Sequence, residues 1–530
     1  MKKDHIPFHD TGYFSKLMCD FLDENREIQV FYNRYPKIEN FKSQIEEKRA
    51  SFDSASRITL AFALNKQYTN IESSELTLQN IESLKSENTF TITTGHQLNL
   101  FTGPLYFLYK IVSTINLSKE LKTKYPECNF VPVYWMATED HDFDEINYFS
   151  FKGKKVQWNR ASAGAVGNLS TEGLEDVFKV FSDQLGNTQN AEMLRALFSK
   201  AYLDHDNLAD ATLFLANELF KDYGSVIIDA NVAELKRGFI PIIKEELLKQ
   251  TSYKCVSESN KMLSKSYRIQ VNPREINLFY LNKDIRERIV FEDDLYKVLS
   301  TNISWSKSEI LNEVSDFPER FSPNVIMRPL YQEVILPNLC YIGGGGELAY
   351  WMQLKNYFDK VEITFPILLL RNSALIQTEK QAQKLKKLDI SLEDVFLKRD
   401  ALINKKVREI SNIDIDFSVQ KNHLRQQFEN LYDLAKKTDE SFLGAIKAQE
   451  IKQLKGLVHL EKRLLKAQKR KLSDEVERMT DIQNELFPNG NLQERNTNFS
   501  EFYLEYGEEL IPDLIENLKP LKNEFTILTV

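Results

Sequence analysis

Thr94-Gly95-His96-Gln97-Leu98-Asn99-Leu100-Phe101-Thr102-Gly103-Pro104 is the stretch from which the rest of the chain is read. It follows a β-like run, Thr89 to Thr94, and leads into Leu105 to Leu121. There Leu105, Leu108, Ile111, Val112, Ile115 and Leu117 recur at close to helical spacing. Gly103 and Pro104 suit a helix entry, because proline in the first turn gives up no needed N–H. A second β-like run, Phe130 to Met136, breaks into Ala137-Thr138-Glu139-Asp140-His141-Asp142-Phe143-Asp144-Glu145. Strand, helix and strand in this order form a crossover unit whose two strands are parallel neighbours. Polar residues leaving parallel strands gather at the carboxyl ends, where α/β folds bind ligands. The site is expected there.

Outward from that unit, 530 residues exceed what one hydrophobic core usually organises, so two or three domains are expected. A composition 42% hydrophobic and 28% charged is that of ordinary globular protein. The net charge of −8 argues against bulk nucleic-acid affinity. No apolar run is long enough to span a bilayer, and Met1-Lys2-Lys3-Asp4-His5 lacks the apolar region of a signal peptide, so no membrane association and a cytoplasmic location are expected. Cys19, Cys128, Cys255 and Cys340 are scattered without a C-x-x-C pair, which predicts reduced thiols and no structural zinc.

The fold expected is α/β: a Rossmann-like parallel-sheet core over 1–375 with inserted connecting segments at about 150–324, followed by an α-helical coiled-coil domain over 376–490. The last segment, 491–530, is expected to return to the core. In the helical part Ile451, Val458, Leu465, Leu472, Met479 and Leu486 fall seven residues apart, as a-position residues do. The matching d positions, Leu454, Glu461, Gln468, Glu475 and Ile482, mix apolar with polar, which predicts a helical hairpin with a partly wet seam. A seam left incomplete this way exposes apolar surface, and a homodimer through the coiled coil would cover it.

Three groups carry candidate chemistry. Gly95 lets backbone approach a ligand closely beside His96, and the helix that follows can turn its N-terminus toward an anion. The strand–Gly-His-Gln–helix order resembles the histidine signature of class I aminoacyl-tRNA synthetases, although one of its two histidines is missing. Glu139, Asp140, Asp142, Asp144 and Glu145 surround His141. Like charges this close raise one another's pKa, which can make a general base; His96, Glu139, His141 and Asp142 are the catalytic candidates, with His96, Asp142 and the glycine turn expected to line one pocket. The same carboxylates can instead hold Mg²⁺, whereas zinc has no second nearby His or Cys. Gly343, Gly344, Gly345 and Gly346 open into Glu347-Leu348-Ala349, where bare N–H groups at a helix start can cradle phosphate. They complete no standard nucleotide fingerprint, so ATP or another nucleotide is left open as the cofactor. Two further signals are read as bland: Lys261 to Ser266, a loose match to the synthetase lysine loop, and the basic run Lys462 to Lys471, a solvated helix face.

TGHQLNLFTGPLYFLYKI, PVYWMATEDHDFDEIN, RPLYQEVILPNLCYIGGGGELAYW and LQERN, spread in order from about residue 90 to 500, resemble the bacillithiol-biosynthesis cysteine-adding enzymes, the BshC family. The resemblance implies a cytoplasmic ligase that adds L-cysteine to the amine of glucosaminyl-malate, the last step of bacillithiol synthesis. It implies a Rossmann-like core with insertions and a coiled coil that dimerises. It also favours Gly95, Gln97, Asp144, Arg328, the four glycines and Glu347 as substrate- or nucleotide-binding residues. Two other readings stay open: another carboxylate-activating enzyme of the class I synthetase type, and a nonenzymatic scaffold that binds a metabolite.

Overall fold

The computed structural model describes residues 2–438 and 440–530. Five strands form its central sheet: β1 (Thr89–His96), β2 (Asn129–Met136), β3 (Val226–Asp229), β4 (Asn338–Gly343) and β5 (Ile367–Leu370). They are rich in β-branched and aromatic residues, and β1, β4 and β5 are buried along their whole length, as strands covered on both faces must be. Every pairing is parallel, and the order is β5-β4-β1-β2-β3. The order reverses between β1 and β4, the switch point at which doubly wound sheets leave a crevice. Register sets what meets there: His96 lies level with Met136, Thr94 with Ile342, and Gly343 with Leu370.

The crossover helix α1 (Tyr106–Lys124) is buried on nearly every side, including Lys110, Ser113, Asn116 and Ser118. Such polar residues survive burial because each finds a partner. The Asn116 amide donates to the carbonyls of Ile515 and Leu518 at 2.9 and 2.7 Å, and Ser113 Oγ donates to Asn372 Oδ1 at 3.0 Å. Between β1 and α1 the chain makes a tight turn in which Phe101 and Thr102 take positive φ (46° and 67°). That conformation is costly for residues with a Cβ. It is held by Asn498, whose amide donates to the Phe101 and Gly103 carbonyls at 2.7 and 2.6 Å, and by the Phe101 N–H donating to Tyr202 Oη at 2.8 Å.

Of the segments inserted between β2 and β4, Val226–Asp229 joins the core sheet as β3. The residues that follow build a second, antiparallel sheet from Leu278–Asn282, Ile285–Glu292, Leu295–Val298, Ser304–Trp305 and Phe321–Pro323. Two helices reach the switch point from the far side of this insertion, α2 (Arg328–Ile335) and α3 (Gly345–Gln353).

The chain divides into two units. Residues 1–9, 13–375 and 493–528 make the first, and 10–12, 376–492 and 529–530 the second. The second contains helices α4 (Arg399–Ile410), α5 (Ser418–Ala435), α6 (Glu440–Lys471) and α7 (Ser473–Leu486). Ile403, Val407 and Ile415 form one small core with Leu464, Leu465 and Leu472; Phe428, Ala435 and Ile446 form another. The seven-residue seam is wet over part of its length. Met479, Ile482 and Leu486 are buried, whereas Ile451 and Val458 are 45% and 38% exposed. Glu461, at a d position, is satisfied by ion pairs to Arg408 and Lys421 rather than by packing.

Candidate active site

At the switch point the carboxyl ends of the strands open onto a cavity of about 690 Å³, lined wholly by residues of the first unit. Gly95 and His96 come from the end of β1, Ala137 to His141 from the end of β2, and Gly344 to Glu347 from the start of α3. A side chain at Gly95 would be crowded, since a Cβ there would come within 3.3 Å of Tyr341 Oη.

His96 is 8% exposed, packed edge-on to Tyr106 and tilted against Phe107. Its Nε2 is buried without a hydrogen-bond partner. Burial, reinforced by Lys110 and Arg371, holds its pKa well below the usual imidazole value, so the ring is neutral at physiological pH. Beneath it Lys110 Nζ donates to the Gly95 carbonyl at 2.7 Å and pairs with Glu347 at 2.6 Å. Burial pushes the Glu347 carboxyl up. Lys110, the Gly344 N–H (2.9 Å) and the Tyr341 hydroxyl (2.7 Å) outweigh it and keep the group ionised. The start of α3 therefore holds the chain's own carboxylate on the Gly344 N–H. Only the first-turn N–H groups beyond it lack helical acceptors. Arg371 crosses over the Tyr106 ring at 4.9 Å and pairs with Glu494 at 2.6 Å, with its Nε buried and unpartnered.

At the other side, Asp140 accepts from the Gln97 amide at 3.0 Å and from the His141 N–H at 2.7 Å. Burial raises its pKa, but His141, Gln97 and the Arg286 charge more than reverse this and hold the carboxyl well below the usual range. Arg286 donates to His141 Nδ1 and lies over the Phe279 ring at 4.1 Å. Glu139 is taken by the fully buried Lys236, which also donates to the Phe321 carbonyl at 2.9 Å. Arg328, on α2, donates to Gln332 and Tyr350 at 3.2 and 3.1 Å. Burial alone would lower its pKa, but the electron-rich Tyr350 and Tyr341 raise it above the ordinary arginine value.

In sum the lining holds six arginines and Lys110 against three carboxylates, Glu139, Asp140 and Glu347. An acidic chain thus encloses a cationic cavity, and low-dielectric walls focus such a field on an anionic ligand. Among the described residues no three His, Cys, Asp or Glu side chains stand where they could hold a metal ion. None of the four cysteines lines the cavity; Cys128 and Cys340 are buried.

The structure brings Gly95, His96, Gln97, Glu139, His141, Arg328, Gly344, Gly345, Gly346 and Glu347 to one cavity. Asp142, expected beside His96, is instead exposed and outside the lining. After Asp140 the chain turns into the short helix Phe143–Ile146, which faces Phe143 inward and leaves Asp142 at its start, making no side-chain cap. Asp144 and Glu145 are exposed as well, and Gly343 ends β4 short of the cavity. Sequence reading missed Lys110, Asp140's inward turn, Arg274, Arg286, Arg288 and Arg371. The LQERN segment did point to Glu494 and Arg495, without a role.

A doubly wound α/β core with a cationic pocket at its switch point and a separate helical unit defines a Rossmann-like protein. Residues 1–372 match the family model described as "Bacillithiol biosynthesis BshC, N-terminal Rossmann-like domain", and residues 374–530 match its C-terminal coiled-coil domain. The chain belongs to the BshC family. It is 62% identical to a protein of Flavobacterium johnsoniae over all of both chains, and 38% identical to one of Cytophaga hutchinsonii over 98% of this chain and 97% of the other. A Bacillus cereus relative is 28% identical over 94% of this chain and 95% of the other. All three bear the name "Putative cysteine ligase BshC". No helix among the described residues is long and apolar enough to cross a membrane.

Proposed function

We propose that this protein is a cytoplasmic ligase that joins the carboxyl of L-cysteine to the amine of glucosaminyl-malate, forming bacillithiol. The observation that carries this reading is the cavity at the β1/β4 switch point. There a buried, neutral His96 with an unpartnered Nε2 lines a cavity in which six arginines and Lys110 outnumber three carboxylates. Forming the amide bonds the amine nitrogen to the cysteine carbonyl carbon, expels a carboxyl oxygen with its activating group, and releases a proton from nitrogen. In this reading His96 Nε2 accepts that proton, and Arg371 and Arg328 offset the negative charge that develops on oxygen. Activation of a carboxylate in water needs a high-energy donor. ATP, with Mg²⁺ carried on its phosphates, would supply it, and Arg328, Arg495 and the N–H groups of Gly345 and Gly346 are the groups to hold it. The Gly344 N–H is not among them, because Glu347 already takes it.

Loss of the gene should abolish bacillithiol and accumulate glucosaminyl-malate, restored by the wild-type chain. His96→Ala should restore less than about a hundredth of the flux, the usual scale of a lost acid–base group. Unchanged bacillithiol in the deletion strain would sink the reading. The exposed Ile451 and Val458 also support a homodimer through the helical unit. A chain lacking 380–486 should sediment as a monomer, and one that remains dimeric places the interface elsewhere.

A further inference from the structure

We propose that Arg274, Arg286 and Arg288, all supplied by the inserted segment, form the subsite for the two carboxylates of the malate half of the acceptor. The assignment rests on the reading above.

Its first ground is register. Arg286 and Arg288 are two residues apart on one strand, so they project from the same face. Directly across the antiparallel ladder they pair with Leu281 and Phe279. Phe279, Arg286 and Arg288 all line the cavity, so this face of the antiparallel sheet is one of its walls. The second ground is preorganisation. Arg286 is fixed by its stacking on Phe279 and its bond to His141, yet its Nε is buried and unpartnered, a donor left over inside the protein. A buried donor without an acceptor costs free energy unless a ligand or water satisfies it. Arg274 sits on a segment pinned at both ends. Its N–H donates to Asn277 Oδ1 at 3.0 Å, its carbonyl accepts from the Asn277 amide at 2.7 Å, and the Val271 N–H donates to Gln353 at 3.1 Å.

The third ground is charge. On the β1 side Lys110 is matched by Glu347 and Arg371 by Glu494, while Arg328 is engaged by Gln332 and Tyr350. Among the described residues neither Arg274 nor Arg288 has an ion-pair partner. Planar guanidinium groups bind carboxylates through two parallel hydrogen bonds, and a dianion needs at least two of them. The amine end of the acceptor would then extend toward His96, which lines the same cavity.

Calorimetric titration of the full chain tests this with three probes: glucosaminyl-malate, L-malate, and the monocarboxylate analogue glucosaminyl-lactate. The wild type should prefer glucosaminyl-malate to glucosaminyl-lactate. Arg274→Ala and Arg288→Ala should each weaken glucosaminyl-malate about 10-fold and erase that preference, the scale of one charge-assisted bidentate contact. Arg288→Lys should recover part of it, which a merely structural role would not predict. If the variants bind glucosaminyl-malate within twofold of wild type, the subsite is wrong and the acceptor stands. If the wild type binds L-malate through Arg288 but not glucosaminyl-malate, the subsite stands and the acceptor reading falls. Binding of none of the three probes overturns both.

Discussion

The acidic stretch Glu139 to Glu145 and the arginines of the cavity are opposites in how sequence becomes space. Five carboxylates close together in the chain largely disperse: Glu139 goes to Lys236, Asp140 to Gln97 and the His141 N–H, Glu145 shares the Gln97 amide, and Asp142 and Asp144 are exposed. Six arginines scattered from 274 to 495 converge on one wall system. Like charges held close raise each other's free energy, so a run of acids tends to splay apart unless cations intervene. Cations gathered from distant elements are instead held by a fold whose other contacts stabilise it. A dense motif marks where the chain turns, and the ligand chemistry comes from residues that no local window shows together.

The contrast is broken most severely by removing a counter-charge inside the convergent set. Glu494→Ala strips the acceptor from Arg371, Ser373 Oγ and the Ala374 N–H and leaves a buried guanidinium uncompensated. It should cost about 3–5 kcal/mol of stability, read in denaturant melts. A loss under 1 kcal/mol would show that solvent reaches Arg371 freely. Next comes His96, whose folded-state pKa is depressed first by burial and then by Lys110 and Arg371. Above the unfolded value near pH 6.5 it contributes nothing. As pH falls below that, the unfolded chain takes up a proton that the folded chain refuses, so stability declines by up to about 1.4 kcal/mol per pH unit. His96→Gln should therefore flatten the fall in stability between pH 7 and 5, and an identical slope would show that the imidazole titrates normally. Smallest of all, Asp142→Asn should change stability by less than about 0.5 kcal/mol and leave turnover intact, as surface substitutions do. A large loss of turnover would return Asp142 to the site.

The β1–α1–β2 crossover was legible because parallel strands and a buried helix leave strong periodic signals. Thr89–His96 and Asn129–Met136 fall where their β-branched and aromatic runs put them. Gly344 to Gly346 and His96, which line the cavity, stood out as candidates because glycine and histidine beside an apolar run are unusual, whereas Arg328 stood out only through the family resemblance. Val334 to Ile342 reads as a single apolar run, yet α2 ends at Ile335 and β4 begins at Asn338. Pro337, which has no N–H, divides them. Arg286 and Arg288 were not legible: alternating with Glu287, they look like any solvated strand. Only the register with Phe279 and the cavity behind it tells them apart. Lys110 was hidden in the same way, one polar residue on a helix whose neighbours are core.

Arg371 and Glu494 stand 123 residues apart in sequence. A ribosome adding about 5–20 residues per second reaches Glu494 some 6–25 s after it has made Arg371. Through that interval β1, β4 and β5 have all been synthesised, but the carboxylate that neutralises Arg371 and the Asn498 amide that secures the Phe101 turn have not. The binding crevice is thus among the last parts of the nascent protein to be finished, although the strands that frame it are made early. The lining of the cavity is incomplete until the segment that supplies Arg495 has been made.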